Sequence, residues 1–316
     1  MDATPPEIPL PQATAAPDGV AGERALVLGG GGSAGNAWAI GVIAGLLDGG
    51  LDVRDADLIV GTSSGSTVAA QITGDVGAGE LLAAIVATPA PTRPRAASPG
   101  ATAGQEAPRP AVNHFERSSA AIAAAENAAD MRRRMGASAL ESAVASDDSM
   151  RDRWRATVAA RLPGARWTDR RVLITAVDAH TGGPVVFDRD SGVDLVDAVA
   201  ASCSSGEPYR IGERHYIDGG YRRNENADLA AGYARVLVLS PLGGRTRHPL
   251  EWGMQLATQV EELQARGSAV EAILPDAASL AAFGTNLMDL STRPAAARAG
   301  HEQGITTAAR LVDLWR

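Results

Sequence analysis

The sequence predicts an α/β protein built on a mostly parallel central sheet. Short apolar runs at Ala25 to Leu28, Asp57 to Val60, Val172 to Val177, Pro184 to Phe187 and Arg235 to Leu239 stop at glycine or polar residues, as strands do. Helical patterns lie between them. Ile40, Ile43 and Leu47 recur at helical spacing beside Ala39, Val42 and Leu46, and the small residues from Ser66 to Ile72 continue the pattern after the second strand. The runs are continuous rather than alternating, the mark of strands covered by helices on both faces. Ligands of such sheets gather beyond the carboxyl ends of the strands, so the residues after Leu28 and Val60 are the first candidates for chemistry.

Composition narrows the class. A chain of 316 residues, 45% hydrophobic and 21% charged, can bury a core without covalent or metal staples. The single cysteine, Cys203, excludes a disulfide framework, and five scattered histidines give no metal cluster, so no metal and no cofactor is expected. Basic residues number 29, all of them arginine, against 37 acids, and the net charge of -8 leaves no global field for a nucleic-acid backbone. Residues 1–23 are acidic and broken by prolines, which predicts a flexible tail with no secretory signal. No apolar run approaches the roughly 20 residues a bilayer requires, and the expected location is cytoplasmic.

Residues 24–316 are read as one domain with a low-complexity Pro/Ala-rich insertion at 89–112, an exposed segment or a lid. A segment at 118–162 carries two or three surface helices. Its MRRRM run, Met131 to Met135, reads as a solvated helix face. A later helix from Leu250 to Gln264 is expected to turn Leu250, Met254 and Ala257 toward the core.

After Val60 comes Gly61-Thr62-Ser63-Ser64-Gly65, a G-x-S-x-G sequence between a strand and a helix. A serine on so sharp a turn has its hydroxyl pushed outward, and the flanking Gly61 and Gly65 avoid collision with the neighbouring strand and helix. Ser63 is therefore the candidate nucleophile. After Leu28 comes Gly29-Gly30-Gly31-Gly32-Ser33-Ala34-Gly35, with G-x-G-x-x-G spacing at Gly30, Gly32 and Gly35. Such a loop can hold a dinucleotide, with Asp52, Asp55 or Asp57 on the ribose, or it can aim bare N–H groups at the oxyanion of an acyl intermediate.

The base must come from elsewhere in the chain. His114, His180, His248 and His301 sit in turns or near biased segments, while His215 precedes Tyr216-Ile217-Asp218-Gly219-Gly220. If that stretch is extended, alternation places His215 and Ile217 on one face and Tyr216 and Asp218 on the other. A Ser-His-Asp triad is disfavoured, and a serine-carboxylate dyad with Asp218 as proton acceptor is favoured. An ordinary Asp-Gly-Gly turn would give the same letters.

The ordered set GGGGSAG, GTSSG and DGG resembles the patatin-like phospholipase family, with further likeness in Ala201 to Pro208, ahead of the DGG strand. The resemblance covers about Ala25 to Ser240, interrupted between about Pro89 and Trp167. It implies a three-layer α/β/α fold with a helical, flexible insertion, a Ser-Asp dyad and hydrolysis of lipid acyl esters. Carried over by motif, Ser63 is the acyl-accepting nucleophile and Asp218 the general base. The backbone of Gly30, Gly31, Gly32, Ser33, Ala34 and Gly35 is the oxyanion hole, and Gly219 and Gly220 complete the DGG turn. Two departures stand out. The family commonly has Arg or Lys where this chain has Ala34, a loss for which Asn36 is a candidate replacement. Its frequent Asn-x-Pro is here Asn224-Glu225-Asn226.

Aromatic residues make up 4% of the chain, and with its negative charge there is no evident aromatic or polybasic membrane anchor. Trp38, Trp154, Trp167, Trp252 and Trp315 read as packing residues. The expected enzyme is a soluble esterase, phospholipase A or lysophospholipase. Its partner is an acyl ester or (lyso)phospholipid met through transient membrane-surface contact at most; no nucleic acid and no obligate protein partner are expected. Two rivals stay open: a catalytically silent lipid-binding or regulatory protein, and a nucleotide-binding protein using the glycine loop.

Overall fold

A computed structural model describes residues 22–88, 114–143, 148–162, 164 and 166–315. The predicted insertion at 89–112 and residues 1–21 of the predicted tail lie outside them. The last two residues assigned to that tail, Gly22 and Glu23, instead open the first strand.

In chain order the elements are β1 (Gly22–Leu28), α1 (Gly32–Asp48), β2 (Leu58–Gly61), α2 (Ser64–Ile72), α3 (Ala78–Ala87), α4 (His114–Ala123), α5 (Ala128–Ala143) and α6 (Asp148–Ala159). Then follow β3 (Arg171–Asp178), β4 (Pro184–Phe187), α7 (Leu195–Ser202), β5 (Tyr209–Ile211), β6 (Arg214–Asp218), β7 (Tyr233–Leu239), α8 (Leu256–Ala265), β8 (Ala269–Ile273), α9 (Ala277–Phe283) and α10 (Arg293–Trp315). The strand order is β5-β6-β3-β2-β1-β7-β8, with β4 also on β3. Strands β3, β2, β1, β7 and β8 are parallel, while β4 and β6 run antiparallel to β3, and β5 antiparallel to β6. The sheet is mixed, with its parallel part at the centre, where both faces are covered.

Alternation along the strands divides the core. Leu26, Leu28, Ile59, Ile174 and Leu237 face α1, α2, α7 and α10. Ala25, Val27, Val60, Val236 and Val238 face α8 and the 227–231 segment. At one end Val177 and Ile217 pack on Met131 and Met135 of α5. The result is three layers, α/β/α.

Several expectations change in detail. The Met131 to Met135 run is solvated only through its arginines: Arg133 and Arg134 reach Asp130, whereas both methionines are buried because α5 lies against the end of β3. The predicted helix at 250–264 is divided at Gly253, whose φ of 63° ends a short 3-10 turn at Leu250–Trp252. Leu250 and Ala257 are consequently exposed while Met254 is buried, and α8 turns Leu256, Gln259 and Leu263 inward. Two strands escaped the sequence reading: β5 has only three residues, and β8 is an edge strand with Glu271 at its middle.

Candidate active site

The site follows from how two strands share one edge of a third. Ile174 of β3 pairs with Gly61 of β2 on one side and with Phe187 of β4 on the other, and Ala176 pairs with Val185 of β4 and with Asp218 of β6. A strand has two edges, so β2 and β6 must lie on the same one, end to end. Their carboxyl ends meet because β6 runs antiparallel to β3. Two segments far apart in sequence are thereby aimed at each other.

At that junction Ser63 Oγ donates to Asp218 Oδ2 at 2.8 Å. Ser63 adopts φ 52° and ψ -122°, a strained backbone for a side-chain-bearing residue, and this turn lifts its hydroxyl above the end of β2. The neighbouring glycines have a steric reason. A Cβ on Gly65 would lie 2.0 Å from Leu28 O, and one on Gly219 would lie 2.3 Å from Thr175 Oγ1, so α2 and the DGG turn each pack directly on a strand.

The carboxylate is buried, with Oδ1 accepting from Gly220 N–H at 2.8 Å. Burial pushes the Asp218 carboxyl up to about 6, and the bonds from Gly220 and Ser63 oppose that only in part. A carboxylate held this way is a stronger base than a free one and is still ionised at neutral pH. His215 is bonded to neither group, although it lines a neighbouring cleft. As strand alternation predicts, it lies on the opposite face of β6, 3.3 Å from His180 through Nδ1 and Nε2.

The glycine-rich loop meets Ser63 directly, since a Cβ on Gly30 would sit 3.3 Å from Ser63 Cβ. Not all the expected donors are free. Gly30 N–H donates to Asn224 O at 3.1 Å, Ala34 N–H to Leu287 O at 2.9 Å and Gly35 N–H to Gly31 O at 3.0 Å. The amides of Gly31, Gly32 and Ser33 have no acceptor among the described residues, and neither has that of Ser64 directly after Ser63. The Ser64 hydroxyl is also buried, with no partner among the described residues. Asn36 does not point into this space: its Nδ2 donates to Gln71 Oε1 at 3.3 Å.

The acids needed by a dinucleotide lie at the wrong end of the sheet. Asp57 accepts from the Glu23 and Arg24 amides, Asp55 pairs with Arg24, and Asp52 with Arg54. The start of β1 is separated from the glycine loop by the length of the strand, about 20 Å.

Several supporting residues were not visible as such in the sequence. Ser63 N–H donates to Ser202 Oγ at 2.9 Å, and the Cys203 thiol to Ser63 O at 3.1 Å. Burial pushes that thiol up to about 11, so it acts as a hydrogen-bond donor and not a nucleophile. Asn226 is fully buried at φ 56°, and its Nδ2 lies within bonding distance of Thr62 Oγ1 (2.9 Å), Arg223 O (2.7 Å), Thr175 Oγ1 (3.2 Å) and Gly219 O (3.2 Å). It shares two hydrogens among the end of β2, the middle of β3 and the DGG turn. Glu225 accepts from Ser240 Oγ and Gln259 Nε2, which anchors the loop beneath. The Asn-x-Asn departure from the family pattern thus supplies a clamp where a proline could not donate.

A cleft of about 370 Å³ opens next to this junction, with Trp154, Pro208, Tyr209 and Met288 on its apolar walls and Arg151, Arg210 and His215 among its polar ones. Cys203 and Ser204 form part of its floor, and Ser204 O accepts the Asp218 N–H at 2.9 Å.

The family model described as Patatin-like phospholipase matches residues 26–231. The chain belongs to the patatin-like phospholipase family. No curated protein matches the chain. Among solved structures, the type III effector protein ExoU is similar at 13% identity and a TM-score of 0.34, over 90% of this chain and 53% of the effector. The chain thus corresponds to about half of that protein's length. Among the described residues no helix of this patatin-like chain is long and apolar enough to cross a membrane, and no group of three or more His, Cys, Asp or Glu could hold a metal ion.

Proposed function

We propose that the chain is a serine acyl hydrolase, of phospholipase A, lysophospholipase or esterase type, working through a Ser63-Asp218 dyad. The single observation that carries this reading is the 2.8 Å bond from the Ser63 hydroxyl to a buried carboxylate shifted up to about 6. Asp218 takes the hydroxyl proton as Oγ attacks the ester carbonyl carbon. The tetrahedral oxyanion is met by free amides drawn from Gly31, Gly32, Ser33 and Ser64. Collapse breaks the ester bond, and the alcohol leaves with the proton that Asp218 received. Water then attacks the acyl-enzyme with Asp218 again as base, releasing the fatty acid and restoring Ser63.

The cleft supports an acyl ester as substrate. Its apolar walls suit a lipid chain, and its guanidinium groups suit a polar head. The test is a fluorophosphonate probe together with fatty-acid release from short and long esters, on the wild type, Ser63→Ala and Asp218→Asn. Labelling and turnover in the wild type, both lost in Ser63→Ala, are expected. Labelling that persists in Ser63→Ala would overturn the nucleophile assignment. Nucleotide binding without labelling would move the chain to the rival reading of the glycine loop.

A further inference from the structure

Beyond Ser63 and Asp218, a cation distant in sequence is tied to the turn that carries the free amides. Arg293, the first residue of α10, donates through Nη1 to Ser33 O at 3.0 Å and lies 3.4 Å from Ser33 Oγ. Its place is fixed by close helix packing: a Cβ on Gly45 of α1 would lie 2.1 Å from His301 O, and one on Gly304 of α10 2.4 Å from Val42 O. Side chains that small leave the two backbones in contact, so α10 cannot slide along α1. The segment before it adds a second tether, the bond from Ala34 N–H to Leu287 O at 2.9 Å. Residues 287–293 therefore grip the first turn of α1 at one carbonyl and one amide. The neighbouring N–H groups of Gly31, Gly32 and Ser33 remain without an acceptor among the described residues.

The charge at this place is costly in the resting protein. Arg293 makes no ion pair with a carboxylate among the described residues. Burial disfavours its charged form, and the charge of another guanidinium, Arg161, acts in the same direction. The amino end of α1 adds a positive dipole. A cation held against burial, a like charge and a helix dipole, with only neutral oxygens as partners, gains when negative charge arrives, and in an acyl transfer that charge is the tetrahedral oxyanion.

We propose that Arg293 is a positioning residue for acyl transfer: through Ser33 it fixes the first turn of α1, whose free amides receive the oxyanion, and its charge adds to their field. This inference rests on the Ser63-Asp218 reading and deepens it. The test compares Arg293→Gln and Arg293→Lys with the wild type on p-nitrophenyl butyrate, an uncharged ester, and on phosphatidylglycerol vesicles, with thermal midpoints measured in parallel. Arg293→Gln is expected to lower kcat roughly 10- to 100-fold on both substrates while KM stays within about threefold, and Arg293→Lys is expected to recover most of the loss.

Three outcomes would overturn it: unchanged kcat in Arg293→Gln; an effect on KM confined to the phospholipid, which would make Arg293 a head-group contact; or equal losses in Lys and Gln that follow the thermal midpoint, which would make it a structural brace. Ser63→Ala, run alongside, separates this inference from its foundation. Turnover surviving in Ser63→Ala would refute the dyad, whereas turnover lost there but intact in Arg293→Gln would refute the role of Arg293 alone.

Discussion

Asp218 and Asp228 stand on either side of one loop, both largely withdrawn from water, and their carboxyls are shifted in opposite directions. Burial raises both. At Asp228 the hydrogen bonds and charge of Arg222, with the charge of Arg223, outweigh it and hold the carboxyl below the usual range. Arg222 Nη1 donates to Asp228 Oδ1 at 2.9 Å, Arg222 Nη2 also donates to Oδ2, and Arg223 Nη1 lies 3.7 Å from Oδ1. At Asp218 the partners are a serine hydroxyl and a backbone amide, neither carrying charge, and burial prevails. Withholding a cation is what leaves Asp218, the more deeply buried of the two, with the raised carboxyl.

The consequences for stability have opposite signs. Between the ordinary carboxylate value and about 6, folded Asp218 keeps a proton that the unfolded chain has released, so stability falls as pH rises through that window and the cost persists above it. Asp228 stabilises the fold above its unfolded value, and that contribution is lost as pH falls through its lowered folded value.

The sharpest way to break the comparison is Asp218→Asn, which should reduce kcat by about 10² to 10⁴ while raising stability by about 2 kcal/mol at pH 7.5. Initial rates and denaturant titration on the same preparation check both halves. A loss of stability would mean that burial costs the carboxylate little. In the wild type, log kcat/KM should rise with pH and level off above about 6, and a profile flat from pH 4.5 to 8 would remove Asp218 as the base.

Next in size is Asn226→Ala. It removes the donor shared by Thr62, Thr175 and Gly219, and should lower kcat about tenfold and stability by about 1–3 kcal/mol. An unchanged rate in a folded variant would show that the dyad holds itself. Asp228→Asn should lose about 1–2 kcal/mol by denaturant titration at pH 7 and leave the midpoint of the pH-rate profile in place. A displaced midpoint would couple the two aspartates. The smallest effect belongs to His215→Ala: the imidazole faces away from the dyad, and kcat should change less than about twofold. A larger loss would revive a histidine base.

The motif residues were legible because each answers a local demand. Gly65 must clear Leu28 O, Gly219 must clear Thr175, and Ser63 must stand on a strained turn, and those demands write glycine and serine into short segments. Alternation along Arg214–Asp218 was sufficient to put His215 and Asp218 on opposite faces of the strand. The partners of those residues were not legible. Ser202 meets Ser63 across 139 positions, Asn226 meets Thr62 across 164, and Arg293 meets Ser33 across 260. No spacing rule spans such intervals, and a serine, an asparagine or an arginine at those places looks like any other.

By itself the sequence determined the fold class, the central strands and the residue types at the two strand ends, because burial and backbone sterics act over a few neighbours. Only the tertiary structure decided that β6 shares the edge of β3 with β2, which glycine-loop amides remain free, and that Asp218 is isolated from the guanidinium groups that hold Asp228. Those are facts of chain crossing and dielectric environment, and they exist only once distant segments are packed together.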